Sequence, residues 1–599
     1  MSILLQQALK FHQAGDFDNA QSLYEQFLQK YPNDVNGLQL LGSLHAAKEN
    51  FPLAISLMER SLEQKNDQPQ VMLNLAIACK RDGQIEKAEH IYRRVLSIQP
   101  KNIQAYQYLL RLLTEAKLFD KALKLCEEAV SATGQNHYFD SKKADLLTTM
   151  QRYDESIQIF QSLLVSQPNT PEYIHGIALA LRQKGEPLQA LGLYEKVQAQ
   201  GVSTFQLFHN MGNALSDLGR LDAAISYYEK SIELNPGYIH SHINLNELLW
   251  ETGQKQRFLA SYLQAIPLEP RNMPLKFAYC QSLLRTSNYD ICLALLEEVE
   301  PELRVSSEFW DLSARAEKGL GNIDRCLAHY QTAIEQNDSD RDVLLNFAQA
   351  LIEARQVNRA QKLLEEVVGK DTNDQFAWSL LGICWRLNSD PREHLLNDYE
   401  NLVGEFEIDI PPGFNSVDEF CQQLNQYLTE LHTGTNQPLE QTLTGGTQTR
   451  GNLFDNLNPL VQALEIELRK CIAKFIEISA SFEYVDSCKS SQEFEFSGSW
   501  SVQLQDKGFH TSHIHPMGWL SSAFYVSLPS ITEDCETKQG WFCLGKPNIK
   551  TSPELGAVRK IQPSIGKLVL FRSYMWHSTT AFESAQNRTT VAFDVIKNN

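Results

Sequence analysis

Apolar positions over the first two-thirds of the chain recur at helical spacing, in blocks that repeat every 34 residues. Stepping by 34 from Ala20 reaches Ala54, Ala88, Ala122, Ser156, Ala190, Ala224, Phe258, Cys292, Cys326 and Ala360 without an insertion or deletion. Four residues later, one turn along the same helical face, stand Tyr24, Met58, Tyr92, Phe160, Tyr194, Tyr228, Tyr262 and Tyr330. A small side chain lets two helices approach closely, and the ring one turn on fills the space beside it. Five residues before the small column lie Gly15, Gly83, Gly185, Gly219, Gly253 and Gly321, placed to turn the chain. Twelve residues after it lie Pro32, Pro100, Pro168, Pro236 and Pro270, which end the second helix. Each unit therefore predicts helix, tight turn, helix and loop. Eleven units, and a partial twelfth over 376–387 with Trp378 and Gly382, extend this array over 1–403. The large Phe258 and the Cys292 position predict local distortion.

The shared period and the small, aromatic, glycine and proline columns resemble the tetratricopeptide repeat family. The resemblance implies an all-α superhelix whose stacked hairpins bury one continuous core and leave a concave surface built from the first helices. Asn74, Asn210, Asn244 and Asn346 share a position on those first helices, fourteen residues before the small column. An amide offers both a donor and an acceptor, which suits gripping a peptide backbone without reading its side chains. In long arrays of this family an asparagine ladder at this position holds an extended polypeptide, so the expected partner is a peptide or protein in the concave groove.

After Glu407 the 34-residue pattern ends, and Asp409-Ile410-Pro411-Pro412-Gly413 marks a linker over 404–416. The remaining 417–599 predict a second domain. It opens with a helix over 417–432, carrying Phe420, Leu424, Leu428 and Leu431 on one side and capped by Asn415 or Ser416, and a second helix spans about 459–478. Between them Gly445-Gly446-Thr447-Gln448-Thr449-Arg450-Gly451 is too glycine-rich for a helix, and no Lys-Ser or Lys-Thr follows as a phosphate loop requires. From Phe494 the period becomes two, with strands expected around 500–504, 523–528, 540–544, 567–571 and 590–596. Such a succession predicts an antiparallel barrel or double-sheet jelly roll, covered on one outer face by the helices.

Composition narrows the function classes. With 43% hydrophobic and 21% charged residues the chain reads as a folded soluble protein, and no run of eighteen apolar residues could span a bilayer. The eleven cysteines form no CxxC pair, so no disulfide or zinc site is assigned and a cytoplasmic location is expected. A net charge of -19 repels phosphate backbones and makes nucleic acid a poor partner.

Candidate chemistry concentrates in the second domain. His510, His513 and His515 fall within six residues, His577 follows a hydrophobic strand, and Arg588 comes eleven residues later. Residues two apart on a strand point the same way, so His513 and His515 can share a cavity. Two early imidazoles and one late one form a ligand pattern for a first-row divalent metal, with iron, nickel, zinc or manganese the candidates. A buried arginine at the offset of Arg588 offers a planar fork suited to a dicarboxylic co-substrate.

The stretches Ser499 to Val502, Gly508 to Pro516, Trp519 to Val526, Gly566 to Phe571, Trp576-His577 and Arg588 to Asp594 resemble the 2-oxoglutarate- and Fe(II)-dependent oxygenases that carry tetratricopeptide repeats. Ile410 to Phe414 and Thr444 to Thr449 extend the resemblance over about 408–599. It implies a double-stranded β-helix, or jelly roll, binding Fe(II) through His513, His515 and His577. It also implies 2-oxoglutarate held by Arg588 with the Tyr525 and Thr590 hydroxyls. The implied reaction is hydroxylation of a peptide or protein side chain presented by the repeats. His515 stands where the wider superfamily has a carboxylate, and Ser522 where closer relatives have glycine. Alternative ligands are His510, Asp506 and Glu583. The alternative functions are a non-catalytic scaffold with a vestigial oxygenase domain and a three-histidine metal oxygenase that does not use 2-oxoglutarate.

Overall fold

The structure, a computed structural model, describes residues 2–134, 137–337, 340–434, 437–439, 442–482, 484 and 493–597. They form two compact units, Met1–Val202 and Ser203–Asn599. Among the described residues no helix is long and apolar enough to cross a membrane.

In the first unit the described residues form twelve helices paired as hairpins, from Ile3–Gln13 with Phe17–Lys30 to Pro171–Gln183 with Pro187–Ala199. Ala20, Ala54, Ala88, Ala122, Ser156 and Ala190 are completely buried, with Tyr24, Tyr92, Phe160 and Tyr194 buried one turn on. The turn inside each hairpin demands a left-handed residue at the same point of every repeat. Gly15, Gly83 and Gly185 supply it at φ +79°, +79° and +92°, and Glu49, Lys117 and Gln151 supply it at +59°, +57° and +61°. The glycine column thus reflects a backbone requirement that other residues also meet, at about 1–2 kcal/mol each.

The second unit continues the hairpins from Phe205–Asp217 with Leu221–Leu234 to Gln375–Leu387 with the short Arg392–Leu396. The two hairpins with loose small columns are distorted, their second helices shortened to Ala260–Ala265 and Tyr289–Glu297. At the first, a phenylalanine cannot enter the close approach that alanine occupies elsewhere. Phe258 packs against Trp250 at 5.4 Å between ring centroids, and Leu259 takes φ +64° before the helix begins.

Nine strands follow: β1 (Val403–Glu407), β2 (Leu443–Gln448), β3 (Phe494–His510), β4 (Leu520–Ser527), β5 (Phe542–Leu544), β6 (Arg559–Ile561), β7 (Lys567–Arg572), β8 (His577–Thr579) and β9 (Arg588–Lys597), counted among the described residues. They form a six-stranded antiparallel sheet of order β1-β7-β4-β9-β3-β2 and a three-stranded antiparallel sheet of order β6-β5-β8. The two pack together through Phe542 and Phe571, 5.2 Å between ring centroids. On the outer face of the larger sheet, Leu520, Phe524, Leu568, Leu570, Val591 and Phe593 meet Phe420, Leu424, Leu428, Leu464, Leu468 and Ile472 of helices Val417–Leu431 and Pro459–Ser479. The first of these helices is capped by Ser416, whose hydroxyl accepts from Glu419 N at 3.1 Å while the Glu419 carboxylate accepts from Asn415 N at 3.0 Å.

Two expectations change. Residues 404–416 are not wholly a linker, because Val403–Glu407 forms edge strand β1 against β7, anchored by Phe406 on Phe475 at 6.1 Å. The compact units also divide at 202, inside the repeats, rather than at 404–416. The physical reason is that the later repeats share a core with the sheets, Trp385, Leu396, Leu544, Ile549 and Tyr574 lying in one apolar cluster. Arg386 donates to the carbonyls of Gly545 and Gly556 at 2.6 and 3.0 Å, and the Tyr574 hydroxyl donates to Leu396 O at 2.7 Å. Arg450 adds an ion pair to Glu251 and a bond to Ser216.

Close helix approach is testable at Gly212, where an added Cβ would stand 2.6 Å from the Tyr228 ring. Gly212→Ala is expected to destabilise the protein by about 1–3 kcal/mol. Helical Gly192 meets nothing within 4 Å, so Gly192→Ala is expected to stabilise by about 0.5–1 kcal/mol. Thermal denaturation of the two variants should show midpoint shifts of opposite sign.

Candidate metal centre

Strand alternation builds the site. Along β9 the residues that face away from the covering helices are Arg588, Thr590, Ala592 and Asp594, and all four line a cavity of about 330 Å³. Trp500 and Val502 of β3 line its wall, and His577 enters from the first position of β8. The chain between β3 and β4 carries His513 and His515 into the same space.

His513 and His577 are directly opposite in an antiparallel bridge, each N–H donating to the other's carbonyl at 3.0 Å. Their ring centroids are 4.1 Å apart, and each lies 5.1 Å from that of His515. The ligand atoms of the three imidazoles lie within 4.8 Å of one another. Each Nδ1 is held by an acceptor: Thr511 O for His513 at 2.8 Å, Met575 O for His577 at 3.0 Å, and Asp594 for His515 at 2.7 Å. A proton on Nδ1 leaves every Nε2 with a lone pair, the state a metal ligand requires. Burial, aided by the neighbouring His515, brings the pKa of His513 down to about 3, and burial with the neighbouring imidazoles holds His577 well below its ordinary value. Both are neutral at physiological pH, so the donor set suits a divalent metal such as Fe(II).

His510 lines the cavity but stands apart from the triad. Its ring centroid is 5.9 Å from that of His513, its Nδ1 faces the Thr442 hydroxyl at 3.4 Å, and burial holds its pKa well below the usual range. Asp506 and Glu583, the alternative acids, are exposed and line no part of the cavity; Asp506 accepts from Ser584 N at 3.0 Å. The acid that the structure brings in is Asp594, which sequence reasoning missed. Its signal was available: it lies six residues beyond Arg588, on the same face of an alternating strand.

Arg588 is 1% exposed and pairs with no carboxylate among the described residues. Its guanidinium lies 5.2 Å from the centre of the Tyr525 ring with the Tyr525 hydroxyl as its polar neighbour, and among the described residues its Nε meets no acceptor. Burial lowers the Arg588 pKa and pushes the Tyr525 phenol up to about 12. Thr590 is buried on the same wall, whereas Tyr525 does not line the cavity directly. Ser522 serves the sheet: its hydroxyl donates to Phe593 O at 2.9 Å and accepts from Phe593 N at 2.8 Å, closing the β4–β9 ladder where the pairing is otherwise broken.

The four asparagines of the repeats are half-buried on first helices. Asn244 donates to Asn213 Oδ1 at 2.8 Å, Asn346 donates to Asp311 Oδ1 at 2.9 Å, and Asn74 accepts from Gln70 at 3.4 Å. Asn210 is also engaged.

Residues 498–594 match the family described as "Putative 2OG-Fe(II) oxygenase", and residues 11–71, 45–113 and 117–368 match tetratricopeptide repeat families. This is a tetratricopeptide repeat protein with a C-terminal domain of that oxygenase family. The histidine cluster, Arg588 and Asp594 all fall inside the oxygenase-family match. Among curated relatives, the beta-barrel assembly-enhancing protease of Yersinia pestis is 24% identical over 129 residues, 22% of this repeat protein and 26% of that one. The chain thus spans well under two thirds of that relative. A tetratricopeptide repeat protein from Parabacteroides merdae is 19% identical, covering 41% of this chain and 97% of its own with a TM-score of 0.34. Yeast Tom70 is 16% identical, covering 65% and 89%, also with a TM-score of 0.34.

Removing a member of the triad should be distinguishable from removing its neighbour. His577→Ala is expected to abolish stoichiometric Fe(II) binding, and His510→Ala to weaken it by roughly ten-fold or less. Anaerobic Fe(II) titration of the two variants decides, and complete loss in both would place His510 among the ligands.

Proposed function

We propose that this chain is a 2-oxoglutarate- and Fe(II)-dependent dioxygenase that hydroxylates a side chain of a peptide or protein held by its repeats. The observation that carries this reading is Arg588. A guanidinium withdrawn from water without a counter-ion is costly, and such a group persists in a fold where it meets an anion. The cavity of about 330 Å³ that it lines also holds the three imidazoles, room enough for a metal and a small dicarboxylate.

In this reading His513, His515 and His577 hold Fe(II), and Arg588 pairs with the far carboxylate of 2-oxoglutarate beside the Thr590 hydroxyl, while Tyr525 supports the guanidinium from outside the cavity wall. Bound there, Fe(II) with its co-substrate and dioxygen supplies the oxidant for a C–H bond. The chain's residues do the rest. The backbone carbonyls of Thr511 and Met575 fix two imidazoles, Trp500 stacks on His515 at 5.7 Å and 20°, and Phe542 and Phe571 pack against His577 and keep water from its inner side.

For the peptide, the reading assigns a cavity of about 1280 Å³ lined by Asp311, Arg315, Asn346 and Glu353 of the repeats and by residues 546–551 of the β5–β6 loop. Ser512 donates to Lys546 O, so this loop is tied to the residue before His513. The reading extends the same backbone-gripping role to Asn74, Asn210 and Asn244.

Succinate release from 2-oxoglutarate by the anaerobically iron-loaded chain on admission of oxygen tests the proposal. Oxygen use without succinate would favour a three-histidine enzyme, and no turnover a scaffold. Arg588→Ala is expected to keep its iron and fold but lose roughly 2–5 kcal/mol of co-substrate binding, as for a buried charge pair with one partner truncated. Arg588→Lys should recover only part of this, because an ammonium lacks the planar fork. Calorimetric titration of 2-oxoglutarate into the Fe(II)-loaded proteins measures both, and unchanged affinity in the alanine variant would remove Arg588 from the role.

A further inference from the structure

Asp594 is a half-buried carboxylate, its side chain 14% exposed, whose contacts converge on one imidazole. Both of its oxygens stand 2.7 Å from His515 Nδ1. The Ser521 hydroxyl donates to Oδ1 at 2.7 Å and is itself held by the Ser573 hydroxyl at 2.8 Å. Among the described residues no lysine or arginine pairs with Asp594. The turn that carries His515 is pressed onto this carboxylate: Gly518 N bonds to His515 O at 3.2 Å, and a Cβ at Gly518 would stand 3.3 Å from Asp594 Cβ and 2.7 Å from Ser573 Oγ. Absence of a side chain at Gly518 therefore lets the turn close on the acid.

The other two imidazoles of the triad donate Nδ1–H to neutral backbone carbonyls. Only His515 donates to a charge. A carboxylate on Nδ1–H fixes the tautomer and ring plane of a metal-bound histidine and raises the basicity of Nε2. It would also place a negative charge one imidazole away from a metal bound at Nε2. We infer that Asp594 is a positioning residue that makes His515 a competent metal ligand and supplies through it the negative charge that an acidic ligand would otherwise bring. This rests on the reading of the three histidines as a metal centre.

The test is anaerobic Co(II) titration of the full chain, read by affinity and by the visible ligand-field bands. Wild type should bind one equivalent; if it binds none, the metal-centre reading fails first, and with it this one. Asp594→Ala should bind roughly 10–100-fold more weakly with shifted bands. Asp594→Asn keeps an acceptor for Nδ1–H but loses the charge, so its affinity should fall between the two while its thermal midpoint without metal stays at the wild-type value. In a His515→Ala background the Asp594→Ala change should add nothing, because the carboxylate acts through that ring. Wild-type affinity and bands in Asp594→Asn would overturn the proposal. So would a loss in Asp594→Ala that persists undiminished in the His515→Ala background, since that would make Asp594 a ligand or a purely structural residue.

Discussion

The backbone N–H of His513 donates to His577 O and the N–H of His577 donates back to His513 O, both at 3.0 Å. This one antiparallel pair ties the loop after the longest strand of the six-stranded sheet to the first residue of β8 in the three-stranded sheet. Residues directly opposite in an antiparallel pair project their side chains to the same side. The bridge therefore does two things at once, closing the sheets together and setting two imidazoles 4.1 Å apart. The triad exists only when both sheets have formed, since the residues that meet are 64 apart in the chain. His515 comes with His513 by its two-residue offset, and β9 then supplies the wall.

The same interdependence joins the sheets to the later repeats. Arg386 clamps the two ends of the β5–β6 loop through the carbonyls of Gly545 and Gly556, and Gly545 N bonds to Trp576 O, the residue before His577. Trp576 in turn donates its Nε1–H to Ser379 O in the last regular repeat helix. A chain of hydrogen bonds thus runs from that helix to the backbone beside His577. The C-terminal repeats position the site as structural members of it, which is why the compact units divide at 202 and not where the repeat pattern ends.

What the sequence revealed depended on whether the signal was periodic. The 34-residue step, the small and aromatic columns, and even the distortion at Phe258 were legible, because every hairpin repeats one local packing solution. The left-handed turn was only half legible: where Glu49, Lys117 or Arg355 takes φ near +60°, no residue type announces it. Strands β6 and β8 are three residues long, too short for any alternation to show. β1 and β2 were hidden for different reasons. The first lay in a segment read as a linker, and the second contains Gly445-Gly446, which pack so closely on β3 that a Cβ at Gly446 would meet Gln503 O at 2.4 Å. In the site, clustered histidines stood out, whereas Asp594 was one acid among many until the strand register placed it opposite Ser521.

Asp594 and Arg588 also complete the electrostatics of the cavity. One wall carries a buried cation that meets no carboxylate among the described residues, the same strand six residues on carries an anion shared with His515 alone among the cavity's imidazoles, and burial favours the neutral forms of His513 and His577. The two fixed charges cancel in sum but lie six residues apart along the same face of β9, so neither satisfies the other. On the proposed reading a divalent metal enters beside the anion and a dicarboxylate enters beside the cation. Their charges are equal and opposite, so the pair can be buried together without leaving a net charge in low dielectric, whereas either one alone would leave two. A site with an aspartate in place of His515 would start one charge more negative inside its ligand set. On the same reading the acid is instead withdrawn one imidazole from the metal, which would keep the charge sum while leaving three nitrogen donors to face it.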